Sequence, residues 1–340
     1  MVNGRSGEEL KRTCAGHEQA FGLLVRPHQV ALFRHCYRML GSGPDAEDAV
    51  QDTLLRGFRA ISTYNGTGDF AAWLYRIATN VCLDRLRGRR ARSHPVLFGP
   101  PIRRVDELGV PADRAAWVEP VGDDDLGIAL GPEDVAIGRE AVSLAFVASL
   151  HSLPPRQRAA LLLHDVLGFS QLEVAEVLAA TPSAVNSLLH RARETATTIA
   201  PEPPLRLDDP RAQDLARRYV DAWERADLAA FIAVVTDDVT FSMPPLPQWF
   251  AGRQDVCAFI EAAVFAPSRP LGVTLHLGRC NGQLAAATYE PAADGVQHLS
   301  GVQVLDVRGA DVLLVSGVTS YRIPELALRL GYPATVKSGG

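Results

Sequence analysis

A chain of 340 residues with 47% hydrophobic content is long enough for two or three cores rather than one. It holds no run of about 18 uncharged apolar residues, and its opening MVNGRSGEELKR has no apolar signal core, so a cytoplasmic protein with neither membrane span nor secretion leader is expected. The net charge of -5 is unevenly spread: residues 1–93 carry 14 basic against 9 acidic side chains and residues 94–138 only 3 against 9, a pattern that leaves room for a polyanion partner behind a weakly acidic whole. Five scattered cysteines, Cys14, Cys36, Cys82, Cys257 and Cys280, form no CxxC pair, so no disulfide framework, zinc site or other metal or cofactor is expected.

Residues 17–93 predict three consecutive helices: EQAFGLLVRPHQVALFRHCYRML, PDAEDAVQDTLLRGFRAI and FAAWLYRIATNVCLDRLRGRR, with glycine-rich breaks between them. The second carries an acidic stripe, Asp45, Asp48 and Asp52, with Arg56 four residues beyond Asp52; many solvated helices look the same. On the third, Arg76, Asn80 and Arg87 share one stripe with Trp73 at its edge, opposite Leu74, Ile77, Ala78 and Val81. Just before it, TYNGTGDF puts Tyr64 and Phe70 around a loop. Aromatic rings stack on an unpaired base for about 1–3 kcal/mol, and nearby arginines hold its backbone. The cluster Arg85, Arg87, Arg89, Arg90 and Arg92 fits that use, and equally fits a solvated helix end.

Residues 94–138, rich in Pro, Gly and Asp, predict an acidic linker with at most short ordered pieces. Residues 139–199 are helical again. Ser170 with Glu173 forms a capping box for a short helix. Thr181 and Pro182 open the next, whose apolar side is Ala184, Val185, Leu188, Leu189 and Ala192 and whose polar side is Ser183, Asn186, Ser187 and His190, with Arg191 and Arg193 flanking. Alone, this hairpin is as well explained by a solvated surface as by DNA reading. After a proline-rich break, residues 209–331 read as helix, strand VTFSM, a helix near 253–265 and strands at 272–278, 283–289, 298–307 and 311–319.

The three stretches DAEDAVQDTLLRGFRAI, TYNGTGDFAAWLYRIATNVCLDRLRGRR and LPPRQRAALLLHDVLGFSQLEVAEVLAATPSAVNSLLHRARE, in that order, resemble the second and fourth conserved regions of bacterial sigma factors of the extracytoplasmic-function group. The resemblance implies two all-α domains, the second with a helix-turn-helix, at 17–93 and 139–199, and as partners core RNA polymerase and promoter DNA. It implies that Asp45, Glu47, Asp48, Gln51 and Asp52 dock on the polymerase clamp. Tyr64, Asn65, Asp69, Phe70, Trp73, Arg76, Asn80, Arg85 and Arg87 then serve the melted minus-ten element, while Arg156, Ser183, Asn186, Ser187, His190, Arg191 and Arg193 serve the minus-thirty-five element. Asn186 and Leu188 depart from the family's usual residues, so promoter preference does not carry over. The linker's WVEP, Trp117 to Pro120 with Glu119 inside it, is similar to a regulatory linker motif of sigma factors with a C-terminal extension, and VGDDD could occupy a channel that otherwise carries RNA.

Residues 209–331 look like the SnoaL-like branch of the NTF2-like fold, an α+β cone with a pocket. Trp223, Phe241, Trp249 and His276, with Met243, Tyr289 and Tyr321, are the candidate pocket residues, and a small-molecule ligand is a candidate partner. Asp237, Asp238 and His276 are the only attractive acid–base set, so the expected reading is a regulatory domain, not an enzyme, on a chain that is monomeric when free. The rivals are a ligand-sensing helix-turn-helix regulator and a sigma factor fused to an active isomerase or cyclase.

Overall fold

The structure is a computed structural model that describes residues 18–64, 69–89, 92–113, 116–128, 142–196, 209–266, 272–293 and 295–337. The chain divides into two compact units. The first takes in the helices before residue 91, the short piece 125–127 and residues 145–200; the second takes in residues 92–124, 128–144 and 201 onward. No helix among the described residues is long and apolar enough to cross a membrane.

In the first unit, α1 (Glu18–Val25) and α2 (Gln29–Leu40) are separate helices with a tight turn at Arg26–His28. The apolar spacing alone predicts one continuous helix here. Pro27 breaks it, since it lacks the amide hydrogen that continuity needs. Gly41 caps α2 with a left-handed backbone, φ 70°, its amide donating to Tyr37 O at 2.7 Å. α3 (Gly43–Ala60) turns its small residues Ala46, Ala49, Thr53 and Gly57 inward, and a side chain at Gly57 would meet the Phe21 ring at 3.2 Å. That close face lets α4 (Phe70–Leu86) bury Leu74, Ala78, Val81 and Cys82 against Leu32, Cys36 and Tyr37.

The later part of this unit has α5 (Leu144–His151), α6 (Pro155–Leu161) running into a wide turn at Leu162–Val166, α7 (Gln171–Val177) and α8 (Pro182–Ala196). Arg158 on α6 joins it to the first helices. Fully buried, its guanidinium donates to Leu150 O at 2.9 Å and Leu153 O at 3.2 Å, and across to Met39 O on α2. Burial lowers its pKa to about 9, still charged at neutral pH. Leu126 and Gly127 dock through Arg34, whose Nη2 donates to Gly127 O at 3.0 Å. Gly127 has φ 58°, and any side chain there would stand 2.6 Å from Val30.

The second unit is α+β. α9 (Pro210–Glu224) and α10 (Leu228–Ile232) are capped by the side chains of Asp209 and Asp227. β1 (Val235–Ser242), β2 (Trp249–Ala251), β3 (Thr274–Cys280), β4 (Gln283–Pro291), β5 (Val296–Arg308) and β6 (Leu314–Tyr321) form one sheet in the order β2-β1-β6-β5-β4-β3. Only the β1–β6 pairing in it is parallel. α11 (Arg253–Phe259) packs on β1, α12 (Pro324–Arg329) on β5, and β7 (Thr335–Lys337) pairs with the start of β5. Aromatic side chains fill the core between helices and sheet, with Trp223 stacked on Phe241 at 6.4 Å and Phe250 on Phe259 at 4.4 Å.

Candidate nucleic-acid interface

The helical period puts Phe70 and Trp73 one turn apart on α4, and their rings stack at 5.5 Å. Tyr64 closes on both, at 5.4 and 5.5 Å. Burial, then the nearby Asp69 carboxylate, push its phenol pKa up. His28, from the turn that Pro27 creates, adds a fourth ring 5.8 Å from Phe70. Nothing in the sequence singles it out, because only the packing of α1 and α2 brings it there. All four rings are half-buried, a cluster left at a surface rather than sealed in a core. Asn80 is exposed farther along α4, and Asp69 caps that helix by accepting from Ala71 N at 3.0 Å. Asn65 and Arg90 lie outside the described residues.

Charges around this helix are mostly paired within the unit. α3 and α4 lie side by side, so Arg85, expected at DNA, instead meets Asp52 at 2.5 Å and Asp48 at 3.6 Å and keeps only 22% of its side chain exposed. The pairing of Asp52 with Arg56 suggested by spacing gives way to Arg56–Asp84 at 3.0 Å. Arg89 faces Asp45 at 3.4 Å, Arg87 faces Asp84 at 3.3 Å and Arg76 faces Glu176 at 2.6 Å. Exposed pairs of this kind are worth about 0–1 kcal/mol, so a phosphate can replace the carboxylate at little cost. Glu47 and Gln51 are exposed on α3.

In the helical hairpin the Ser170–Glu173 capping box forms, with Ser170 N donating to Glu173 Oε2 at 2.8 Å. Thr181 Oγ1 accepts from Ala184 N at 3.2 Å and starts α8. Val185, Leu189 and Ala192 are buried, Leu188 half-buried and Ala184 exposed. Ser183, Asn186, Ser187 and His190 form an exposed row on the other side. The arginines divide. Arg191 lies along its own helix, donating to Ser187 O at 3.2 Å, whereas Arg193 is clamped by two bonds to Asp165, at 2.9 and 2.6 Å. Arg156 donates to Leu178 O at 2.7 Å, satisfying a carbonyl at the end of α7. Asn80, Arg87, Arg156 and Leu188 line one groove of about 660 Å³.

The chain carries an aromatic cluster on one helical region and a helix-turn-helix on another, and comparison with known proteins identifies the family. Residues 24–92 match Sigma-70 region 2, residues 143–195 match Sigma-70 region 4 and residues 216–315 match the SnoaL-like domain. The chain is 40% identical over 323 residues to the ECF RNA polymerase sigma factor SigG of Mycobacterium tuberculosis, covering 92% of this chain and 84% of that one. It belongs to the extracytoplasmic-function sigma factors. It is also 30% identical over 290 residues to SigJ of the same species, covering 81% and 83% of the two chains. The crystal structure of SigJ superposes with a TM-score of 0.58 at 26% identity, over 90% of this chain and 96% of that one. The protein is thus a sigma factor that initiates transcription, with helical sigma domains followed by an NTF2-like domain.

In this sigma factor, described residues from Arg92 to Asp124 are sewn onto the cone as a strap. Ser93 bridges Trp117, Ile102 N donates to Trp249 O at 2.8 Å, and Asn281 Oδ1 accepts from Val121 N at 2.8 Å. Trp117 is 1% exposed, and Glu119 and Pro120 are buried beside it. Tyr321 on β6 donates its hydroxyl to Val118 O at 2.7 Å. Asp123, in VGDDD, pairs with Arg279 at 3.0 Å and accepts from Gly282 N at 2.7 Å, so this carboxylate is committed to the cone.

The cone encloses a cavity of about 240 Å³ whose lining includes Trp223, Phe241, Met243 and Tyr321. Trp249 is not part of that lining; its Nε1 donates to Gly99 O at 2.8 Å, holding the strap. Nor is His276, which packs on Tyr289 at 4.8 Å. Asp237 and Asp238 are exposed and paired with Arg253 and Arg308. The three groups considered as an acid–base set therefore do not meet in the cavity: none is in its described lining, and Asp237 and Asp238 are both exposed where the β1–β6 register shifts between Val235 and Thr240.

Proposed function

We propose that the two readers divide promoter recognition, within working units at 17–93, 139–199 and 209–331. Tyr64, Phe70 and Trp73, with Asn80, stack and hold an unpaired base of the minus-ten element. Ser183, Asn186, Ser187 and His190 read base edges of the minus-thirty-five element in the major groove. Arg76, Arg87 and Arg191 exchange their present partners for phosphates, and the α3 face from Asp45 to Asp52 docks on core RNA polymerase. The observation that carries this reading is the half-exposed aromatic cluster, three rings within 5.5 Å of one another, which a regulator that reads only duplex DNA does not need. Permanganate footprinting of promoter complexes tests it. Phe70→Ala or Tyr64→Ala should leave duplex binding intact and abolish reactive thymines in the minus-ten region; normal melting by both variants would refute the assignment.

The cone serves as a regulatory domain acting through the strap, and this second reading rests on the burial of Trp117. The linker must span whatever separation the sigma domains adopt on the promoter. Fixing residues of that linker on the cone sets how much of it is available.

A further inference from the structure

One hairpin turn of the cone holds the linker at two places. Cys280 pairs with Gln283 across β3 and β4, which leaves Asn281 and Gly282 as a two-residue loop. Both have left-handed backbones, φ 53° and 69°, as the turn that suits strand twist requires, and Asn-Gly is a sequence that adopts it readily. That requirement concerns the backbone alone, and glycine would satisfy it as well. The Asn281 side chain does something else. It is fully buried; its Oδ1 accepts from Val121 N at 2.8 Å and its Nδ2 donates to Val142 O at 2.6 Å, while its backbone amide donates to Val121 O at 3.0 Å. A side-chain amide offers an acceptor and a donor from one carbon, so an ionised carboxylate in its place cannot make both bonds.

The neighbouring residues repeat the pattern. On the Val121 side, Gly122 bridges Cys280, and Asp123 accepts from Gly282 N at 2.7 Å. On the Val142 side, Gln283 Oε1 accepts from Leu144 N at 2.7 Å, and its Nε2 is fixed by Asp306 at 2.6 Å. Leu144 is where α5 begins, within the stretch that matches Sigma-70 region 4. Residues 122–141 lie between the two grips. Extended, such a stretch reaches about 70 Å. Held at both ends by one turn, it adds none of that reach to the tether between the region 2 and region 4 helices.

We infer that Asn281 is a specificity-determining positioning residue: by clasping Val121 and Val142 it keeps residues 122–141 out of the tether and makes the protein selective for the number of base pairs between the two promoter elements. A short tether admits a narrow range of separations, and a long flexible one admits many with little preference among them. The inference rests on the two-reader assignment and on the strap's role proposed above.

The test is run-off transcription by purified core RNA polymerase and the full chain on a promoter series whose spacer is lengthened or shortened one base pair at a time. Each step moves the upstream element by about 3.4 Å and rotates it by about a tenth of a turn. The native chain should show a sharp optimum. Asn281→Gly keeps the hairpin backbone and removes both side-chain grips. The ratio of its yields at the optimum and two base pairs away should fall about threefold, as effective concentration does when a tether doubles in length. Asn281→Asp, which keeps an acceptor for Val121 N and loses the donor to Val142 O, should change in the same direction. A second measurement leaves Asn281 in place and so does not depend on the folding of any variant at that position. Inserting about ten Gly and Ser residues between Gly131 and Pro132 should leave the native spacer profile unchanged, because the cost of closing a loop rises only slowly with its length; in the Asn281→Gly chain the same insertion should flatten the profile further. An undiminished optimum in Asn281→Gly, or a native profile broadened by the insertion, would overturn the clasp alone. A native chain with no spacer optimum at all would sink the two-reader assignment, and the clasp with it.

Discussion

His35 is buried on α2, its Nε2 paired with Thr79 Oγ1 at 2.9 Å. Burial, then the Arg38 charge, pushes its pKa from 6.5 down to about 3, so the folded protein keeps the imidazole neutral. The unfolded chain takes up that proton below about pH 6.5 and the folded chain only near pH 3. Stability is therefore complete above about 6.5 and falls by about 1.4 kcal/mol per pH unit between those values. Urea unfolding of the full chain at pH 7 and pH 5 should show the loss, and His35→Gln, which retains a partner for Thr79, should shrink it; an undiminished loss in the variant would show that His35 is not its source. At this scale the sequence is an uneven guide. Tyr64, Phe70 and Trp73 announce themselves by type and spacing. Arg158 does not: in LPPRQR it looks like Arg156, and two residues of helix phase send one guanidinium to the surface and the other into the interior.

The helix-turn-helix is the element whose sequence and structure agree most closely, because local chemistry determines it. The capping box at Ser170, the Thr181 cap and the buried stripe Val185, Leu189 and Ala192 all operate within a few residues. The exposed row on α8 yields a prediction at this scale. Ser187→Ala or His190→Ala should cost about 1–3 kcal/mol of discrimination at the upstream element for each hydrogen bond to a base edge that the substitution removes. Competition between matched and mutated minus-thirty-five duplexes measures it, and minus-ten melting should not change. Unchanged discrimination in both variants would remove that row from the reading surface. The longer strands β3 to β6 are legible from their Val, Leu and Thr content, give or take a few residues. β2 and β7, three residues each, are not, since pairing with β1 and β5 defines them. The wide turn at Leu162–Val166 also escapes, because a run of apolar residues reads as plain helix.

Across the whole molecule, the order of the sigma and cone domains can be read from the sequence, but the course of the linker cannot. Its Pro, Gly and Asp content reads as a solvated spacer, and only Trp117 hints at docking. The bonds that fix it come from residues more than a hundred positions away, Trp249, Asn281 and Tyr321. Such long-range partners leave no local signature. The same holds for the groove that gathers Asn80, Arg156 and Leu188 from three different helices. If the cone governs initiation through the strap, releasing Trp117 and removing the cone disturb one and the same coupling, and their effects cannot add. The decisive measurement is run-off transcription by purified core RNA polymerase with four forms of the protein: full-length, Trp117→Ala, a truncation after Ala200, and both changes together. The account predicts a promoter-specific transcript whose yield shifts in the same direction in the first two altered forms, with the combined form no different from the truncation alone. Equal yields from all four would contradict it.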